Sequence, residues 1–319
     1  MGGSRVSSEK GRMKSIFTDS LKLLVPLAVI FALGPVFTGN QSLLMELAVF
    51  IILADALNII YGFTGYLPFG FGVFFGTGAY GTAIMITHYH FQPLAALPVG
   101  MAATLVLSLL FTPLLRLSGA YFAIASLAAF EVIYLAVGNT SLTFLTGGPY
   151  GLSFPQAYRP NLDYTITAII AIVSALAVLF ISRSYFGQAL NAIREDRAAA
   201  ELSGINTLLY RNYAWMISAV LSGLAGGLYG WYLGFFYPDA VFSLTDFSVL
   251  VIVFVVFGGK GTIYGPIIGT VALFALYELV TLYFGNFLLI IFGLLLILLI
   301  LFLPNGVLPM VKKVYGGID

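Results

Sequence analysis

Apolar runs separated by short polar stretches fill the chain from residue 23 to residue 303. A helix needs about twenty mostly apolar residues to cross a bilayer, and on that yardstick ten segments stand out. They lie near 23–37, 43–62, 68–87, 93–115, 120–137, 164–182, 212–236, 246–257, 265–283 and 287–303. The first and eighth are short for a full crossing and glycines break the third, so the pattern predicts about ten transmembrane helices, or about eight at the lower end. The fold class is an all-α polytopic membrane protein. One transmembrane domain, 23–303, follows a polar tail at 1–22 and precedes a second tail at 304–319; its longest charged loop is 183–211.

Composition strengthens this reading. Of 319 residues, 60% are hydrophobic and 8% charged, against about a quarter charged in soluble domains. A net charge of +1 offers no basic face for nucleic acid. The chain has no cysteine, so thiol nucleophiles, disulfides and thiolate metal sites are excluded. No small-residue cleavage site follows the first tail, which reads as a retained anchor. If that tail is cytoplasmic and all ten segments cross, every Lys and Arg except Arg159 falls on the inside, as the positive-inside rule requires. Both termini are then cytoplasmic, and the protein is a multi-pass component of the cell (inner) membrane.

Irregular backbone survives at membrane depth only where protein or a water-filled cavity satisfies it. Two glycine-broken zones, "GYLPFGFGVFFGTGAYGT" (65–82) and "FGGKGTIYGPIIGT" (257–270), fall in opposite halves of the chain. Such paired interruptions point to a transporter's substrate path. Candidate path residues are Asn58, Gly70, Gly72, Gly76, Glu131, Gly259 and Gly261; the competing reading is close helix packing through Gly72, Gly76, Gly261, Gly265 and Gly269. Gly226, Gly230 and Gly234 recur every four residues and predict one packing face of a helix. Glu46, Asp55, Glu131 and Glu278 lie inside proposed spans, where an ionised carboxylate costs several kcal/mol, so each is expected to face the bundle interior, pair or take up a proton. Asp55 and Asn58, three apart, share a helix face and form a candidate pair. His88 and His90 lack a third ligand, and a solvated loop explains them better than a metal. "FGGKGT" has glycine after Lys260, so it lacks the hydroxyl of a phosphate-binding loop. With no nucleophile elbow and no HExxH helix, catalysis has no visible seat.

The loop "NAIREDRAAAELSGINTLLYR" (191–211) stands apart from the grease around it. Asp196 can cap a helix start, Ala198 to Ala200 favour the helix, and Gly204 can end it. A helix of about seven residues, near 10 Å long, follows. So short a helix is marginal alone and needs its own protein or a partner's groove to hold it. A solvated loop whose arginines set topology is the alternative.

Together, "SYFGQALNAIREDRAAAELSGIN", "LNIIYGFTGYLPFGFGVFFGTGAY", "SGAYFAIASLAAFEVI", "LTGGPYGLS", "ISAVLSGLAGGLYGWYLGFFYPD" and "VFGGKGTIYGPIIGTVALFALYEL" resemble the permease subunits of branched-chain amino-acid ABC importers, closest to the LivM type. The resemblance covers most of residues 45–280. It implies that Ala199, Ala200 and Gly204 belong to a coupling helix that docks on an ATPase, with Arg194, Glu195 and Asp196 as its charged lead-in. Ala198 stands where the general coupling motif has glutamate, and Leu67, Pro68 and Phe71 make the first glycine zone more apolar than the family pattern. The resemblance further implies a transport subunit rather than an enzyme, working beside a second permease, two ATPase subunits, an extracytoplasmic solute-binding protein and membrane lipid. ATP and magnesium would sit on the partner ATPases, with no cofactor bound by this chain. Substrates would be branched-chain amino acids, other amino acids, amides or urea. The second function considered is a proton-coupled carrier using Asp55 or Glu131.

Overall fold

The computed structural model describes residues 3–284 together with 287, 290, 293–294, 297–298 and 306–308. The expected tenth segment, 287–303, and the tail 304–319 therefore lie largely outside the described residues. The helices are α1 Gly3–Thr38, α2 Gln41–Leu57, α3 Gly72–Tyr89, α4 Pro93–Leu110, α5 Gly119–Val137, α6 Thr143–Thr146, α7 Pro160–Arg183, α8 Tyr185–Glu195, α9 Arg197–Leu202, α10 Thr207–Leu233, α11 Pro238–Val241, α12 Val251–Gly258 and α13 Gly265–Phe284. Among the described residues, eight spans are long and apolar enough to cross a membrane.

Helix α3, the expected third crossing, is not among the eight, because glycine, threonine and histidine dilute its hydropathy. It needs little apolar surface, since residues from Gly72 to Ile86 along it are buried by protein. The eighth segment is longer than expected. Residues Pro238–Gly258 form one 21-residue span, in which α11 is followed by a break at Phe242 and Ser243 and the π-helical stretch Thr245–Leu250 leads into α12. The fourth is shorter, giving way after Leu110 to a 3-10 turn, Thr112–Arg116, because Pro113 has no amide hydrogen and disfavours helix in the residue before it.

Helix α2 is the axis of the molecule, with 89% of its apolar window buried, against 17% for α5. Around it, backbones approach closely through small residues, as lipid-embedded packing requires. A Cβ on Gly78 would overlap Gly223, and one on Gly226 would overlap the Phe75 carbonyl. Gly226 and Gly230 face α3 at the expected spacing. Gly234 departs from that face; at φ +66° it ends α10 in the left-handed conformation. Opposite the charged loop, strands β1 (Leu152–Ser153) and β2 (Phe235–Phe236) form a two-residue antiparallel ladder. It is too short to leave a periodic signal. His88 Nε2 lies 3.0 Å from the Leu145 carbonyl, and His90, at φ 54°, caps α3. Among the described residues no group of three His, Cys, Asp or Glu side chains could hold a metal.

Candidate coupling arm and membrane clasp

The charged loop folds as two helices joined at Asp196. Helix α8 begins at Ser184, whose hydroxyl accepts from the Gly187 amide, and buries Gly187, Ala189, Leu190 and Ile193 on one side. Its amphipathic pattern lays it along the end of the bundle, where Phe186 stacks on Tyr210. Asp196 caps α9 by accepting from the amides of Ala198 and Ala199 at 2.8 and 3.1 Å. Helix α9 ends at Gly204, φ +85°. There the Ile205 amide donates to the Ala200 carbonyl and the Gly204 amide to the Glu201 carbonyl, a closure that favours glycine because its left-handed backbone costs other residues energy.

The arm's surface differs from its sequence pattern. Ala200 is buried at 3% exposure, so it packs inward while Ala198, Ala199, Gly204, Glu195 and Arg194 are exposed. Leu202, which the sequence reading passed over, is 90% exposed. Glu201 accepts from Thr207 Oγ1 at 2.7 Å and from Arg197 Nε at 2.9 Å, tying the arm to the first turn of α10. These two donors, the Thr207 hydroxyl first, hold the Glu201 carboxyl below its ordinary 4.5.

Arg194 reaches back from the arm into the bundle. Its Nη1 donates to the Gly62 carbonyl at 2.6 Å. Gly62 closes the π-helical stretch Asn58–Gly62 that extends α2, and such widened turns recur at functional sites. Asn58, fully buried, bridges to the other glycine zone, donating from Nδ2 to the Thr262 carbonyl at 2.9 Å and accepting at Oδ1 from the Gly261 amide at 2.8 Å. Added Cβ atoms explain the glycines. One on Gly62 would overlap Asn58 Oδ1, and one on Gly261 would overlap Arg194 Nη1. Lys260 Nζ lies 3.3 Å from the Tyr61 hydroxyl and 5.1 Å from the ring centroid.

One charged residue of this loop was given no role in the sequence reading. Arg211 is completely buried, with its Nε donating to the Thr207 carbonyl and its guanidinium carbon 4.5 Å from the centre of the Tyr66 ring. The signal was its position, an arginine directly before the seventh apolar run.

The other candidates are scattered. Asp55 does not share Asn58's neighbour; its Oδ2 accepts from Ser174 Oγ on α7 at 2.8 Å. The expected pairing fails because the two side chains bond different elements, Asp55 to α7 and Asn58 to the loop between α12 and α13. Gly70 abuts the Ser126 backbone, Gly72 donates to Ser248 Oγ at 2.8 Å, and Gly76 lies against the Phe242 ring. Gly259 ends α12 at φ 119°. Within this chain those glycines are filled by neighbours. Of the three outcomes expected for Glu131, facing the bundle interior is the one that fails: it is exposed, because α5 buries the stripe of Phe122, Ser126 and Phe130 and the next residue turns about 100° away.

Residues 41–303 match the family described as branched-chain amino acid transport system / permease component. The chain belongs to this family. It is 28% identical to the high-affinity branched-chain amino acid transport system permease protein LivM of Escherichia coli K12, over 98% of this chain and 81% of that protein. The LivM protein of Salmonella typhimurium LT2 is 29% identical, over 96% and 80%. Over a shorter stretch, 55% of this chain and 58% of the relative, it is 31% identical to the E. coli K12 permease protein LivH. No solved structure matches it significantly. The family and the eight apolar spans make the protein a multi-pass membrane permease subunit, and they favour that reading over a self-contained proton-coupled carrier.

Proposed function

We propose that this chain is the membrane permease subunit of an ATP-driven importer of branched-chain amino acids or related small polar solutes. A second, related permease stands beside it, and similarity to both LivM and LivH relatives supports such a pair. Two ATPase subunits bind ATP and magnesium on the cytoplasmic face, and an extracytoplasmic binding protein delivers the solute. About ten helices cross the membrane, and the tails 1–22 and 304–319 face the cytoplasm with the loop 183–211. The exposed Glu131 side of α5 suits a surface covered by the second permease.

The observation that carries this reading is the exposed tip of α9. A chain without a phosphate-binding loop of its own presents Ala198, Ala199 and Leu202 on a capped six-residue helix, a small surface that an ATPase groove can hold. Glu195, Asp196 and Gly204 shape and position that tip, Ala200 seats it on the bundle, and Arg194, in the charged lead-in, turns back to the bundle at Gly62. Movement of the closing ATPases passes to the bundle, whose opening alternates between the two sides. Two packed regions have to shift for the solute path to open, one the seam at Asn58, Gly259 and Gly261 and the other where Gly70, Gly72 and Gly76 meet Ser126, Ser248 and Phe242.

The absence of native cysteine makes the test direct. A cysteine at Leu202, paired with one in the ATPase groove, is expected to cross-link in assembled membranes, with a yield that changes when ATP is added. Lack of any cross-link to the ATPase, with the complex assembled, would contradict the proposal.

A further inference from the structure

We propose that Arg194 is the positioning residue through which the arm moves both halves of the bundle together, with Asn58 completing the relay; the inference rests on the importer reading and deepens it. Arg194 sits in the last turn of α8, two residues before the Asp196 junction, so it moves with the arm. Its guanidinium holds backbone rather than side chain, at Gly62. Arg194 Nη1 also fills the space against Gly261 that a Cβ there would occupy. Gly62 ends the extension of α2, and Gly261, at φ +74°, lies in the loop between α12 and α13. One side chain therefore touches two segments about two hundred residues apart.

Asn58 makes those segments a unit. Its amide pairs with both the Gly261 amide and the Thr262 carbonyl, as a neighbouring strand's backbone would. Lys260 against Tyr61 supplies a further tether between the same two segments. Both tethers are independent of the arm, so loss of Arg194 disconnects the arm while the two segments stay joined. The elements that can yield are the two π-helical stretches, Asn58–Gly62 ahead of the clasp and Thr245–Leu250 ahead of α12. A widened turn can return to α-helix by shifting its register, which gives the seam two discrete arrangements.

The test uses the assembled importer in proteoliposomes, with ATP-driven uptake and retained ATPase both read per assembled complex. In Arg194→Ala the ATPase is expected to co-purify as in the parent, while uptake falls at least about tenfold, the scale of losing one charge-assisted hydrogen bond. Arg194→Lys, able to reach the same carbonyl without the planar fork, is expected to recover part of the uptake. Asn58→Ala added to Arg194→Ala is expected to lower uptake little further, because with the arm already disconnected the Asn58 tether has no movement to pass on. Uptake in Arg194→Ala within about twofold of the parent, inside the additivity error, overturns the relay alone. So does parallel loss of ATPase and uptake, which makes Arg194 a docking contact. A parent complex showing no ATP-dependent uptake overturns the importer reading as well.

Discussion

The α8–α9 arm and the clasp where Gly62 meets Gly261 hold polar groups in opposite ways. In the arm, partners are neighbours in the chain: Asp196 caps the next two amides, Arg197 pairs with Glu201 four residues on, and Gly204 closes the last turn. Each device is worth about 1 kcal/mol or less, and the surface they build is left exposed. In the clasp, a fully buried Asn58 meets Thr262 across 204 positions, among glycines that admit no side chain. The arm can vary its stability without losing the fold. The seam has little such freedom, because protein interiors are close-packed.

Substitutions ordered by size sharpen that contrast. The largest effect is expected in the glycine core. Gly226→Val sets a branched side chain against the Phe75 carbonyl and is expected to cost about 3 kcal/mol or more, read as loss of chain from the membrane and a lowered melting temperature in detergent. Normal accumulation of that variant would erase the distinction. At the arm, Leu202→Glu is expected to leave the amount of chain unchanged and weaken ATPase co-purification by about 2 kcal/mol, as loss of an interface anchor does. Gly204→Val is expected to cost about 1–2 kcal/mol through backbone strain at φ +85°, since no atom lies within 4 Å of an added Cβ. Uptake should fall with the protein still in place; undiminished uptake would count against the arm. Asp196→Ala, removing two capping bonds, is expected to cost about 1 kcal/mol, visible as faster amide exchange in α9 alone.

The smallest effect is pH dependence. The Glu201 carboxyl titrates below its ordinary 4.5 because Thr207 and Arg197 donate to it. The arm's tie to α10 is therefore fully present above pH about 4.5 and is lost as pH falls through the lowered folded value. Exchange protection in α9 and the first turn of α10 should decline together on acidification, and Glu201→Gln should flatten that decline.

The same contrast explains what could be read in the sequence. The apolar runs marked the helices because a span must be apolar wherever lipid touches it, and the cap, alanines and Gly204 marked α9 because their partners are adjacent. Helix α3 counted as a crossing but is less apolar than the eight spans, since a helix wrapped by protein is freed from that requirement. Ala200 looked like surface and is buried, because six residues of helix carry too little periodicity to show which side faces in. Asn58 was marked as a path candidate, but its partners were not legible, because Gly261 and Thr262 lie in a loop two hundred positions away. Glu131 was expected to face inward, pair or take up a proton, on the rule that charged carboxylates avoid lipid, and a single subunit of a larger assembly need not satisfy that rule by facing inward.

The central claim is that this chain transports only when driven through its arm by partner ATPases. Uptake of radiolabelled leucine into proteoliposomes tests it most directly, comparing this chain alone under an imposed pH gradient with the full assembly and ATP. The expected result is no uptake by the chain alone, and ATP-dependent uptake by the assembly that is lost in Leu202→Glu. Proton-driven accumulation by the chain alone, abolished in Asp55→Asn, would contradict the account.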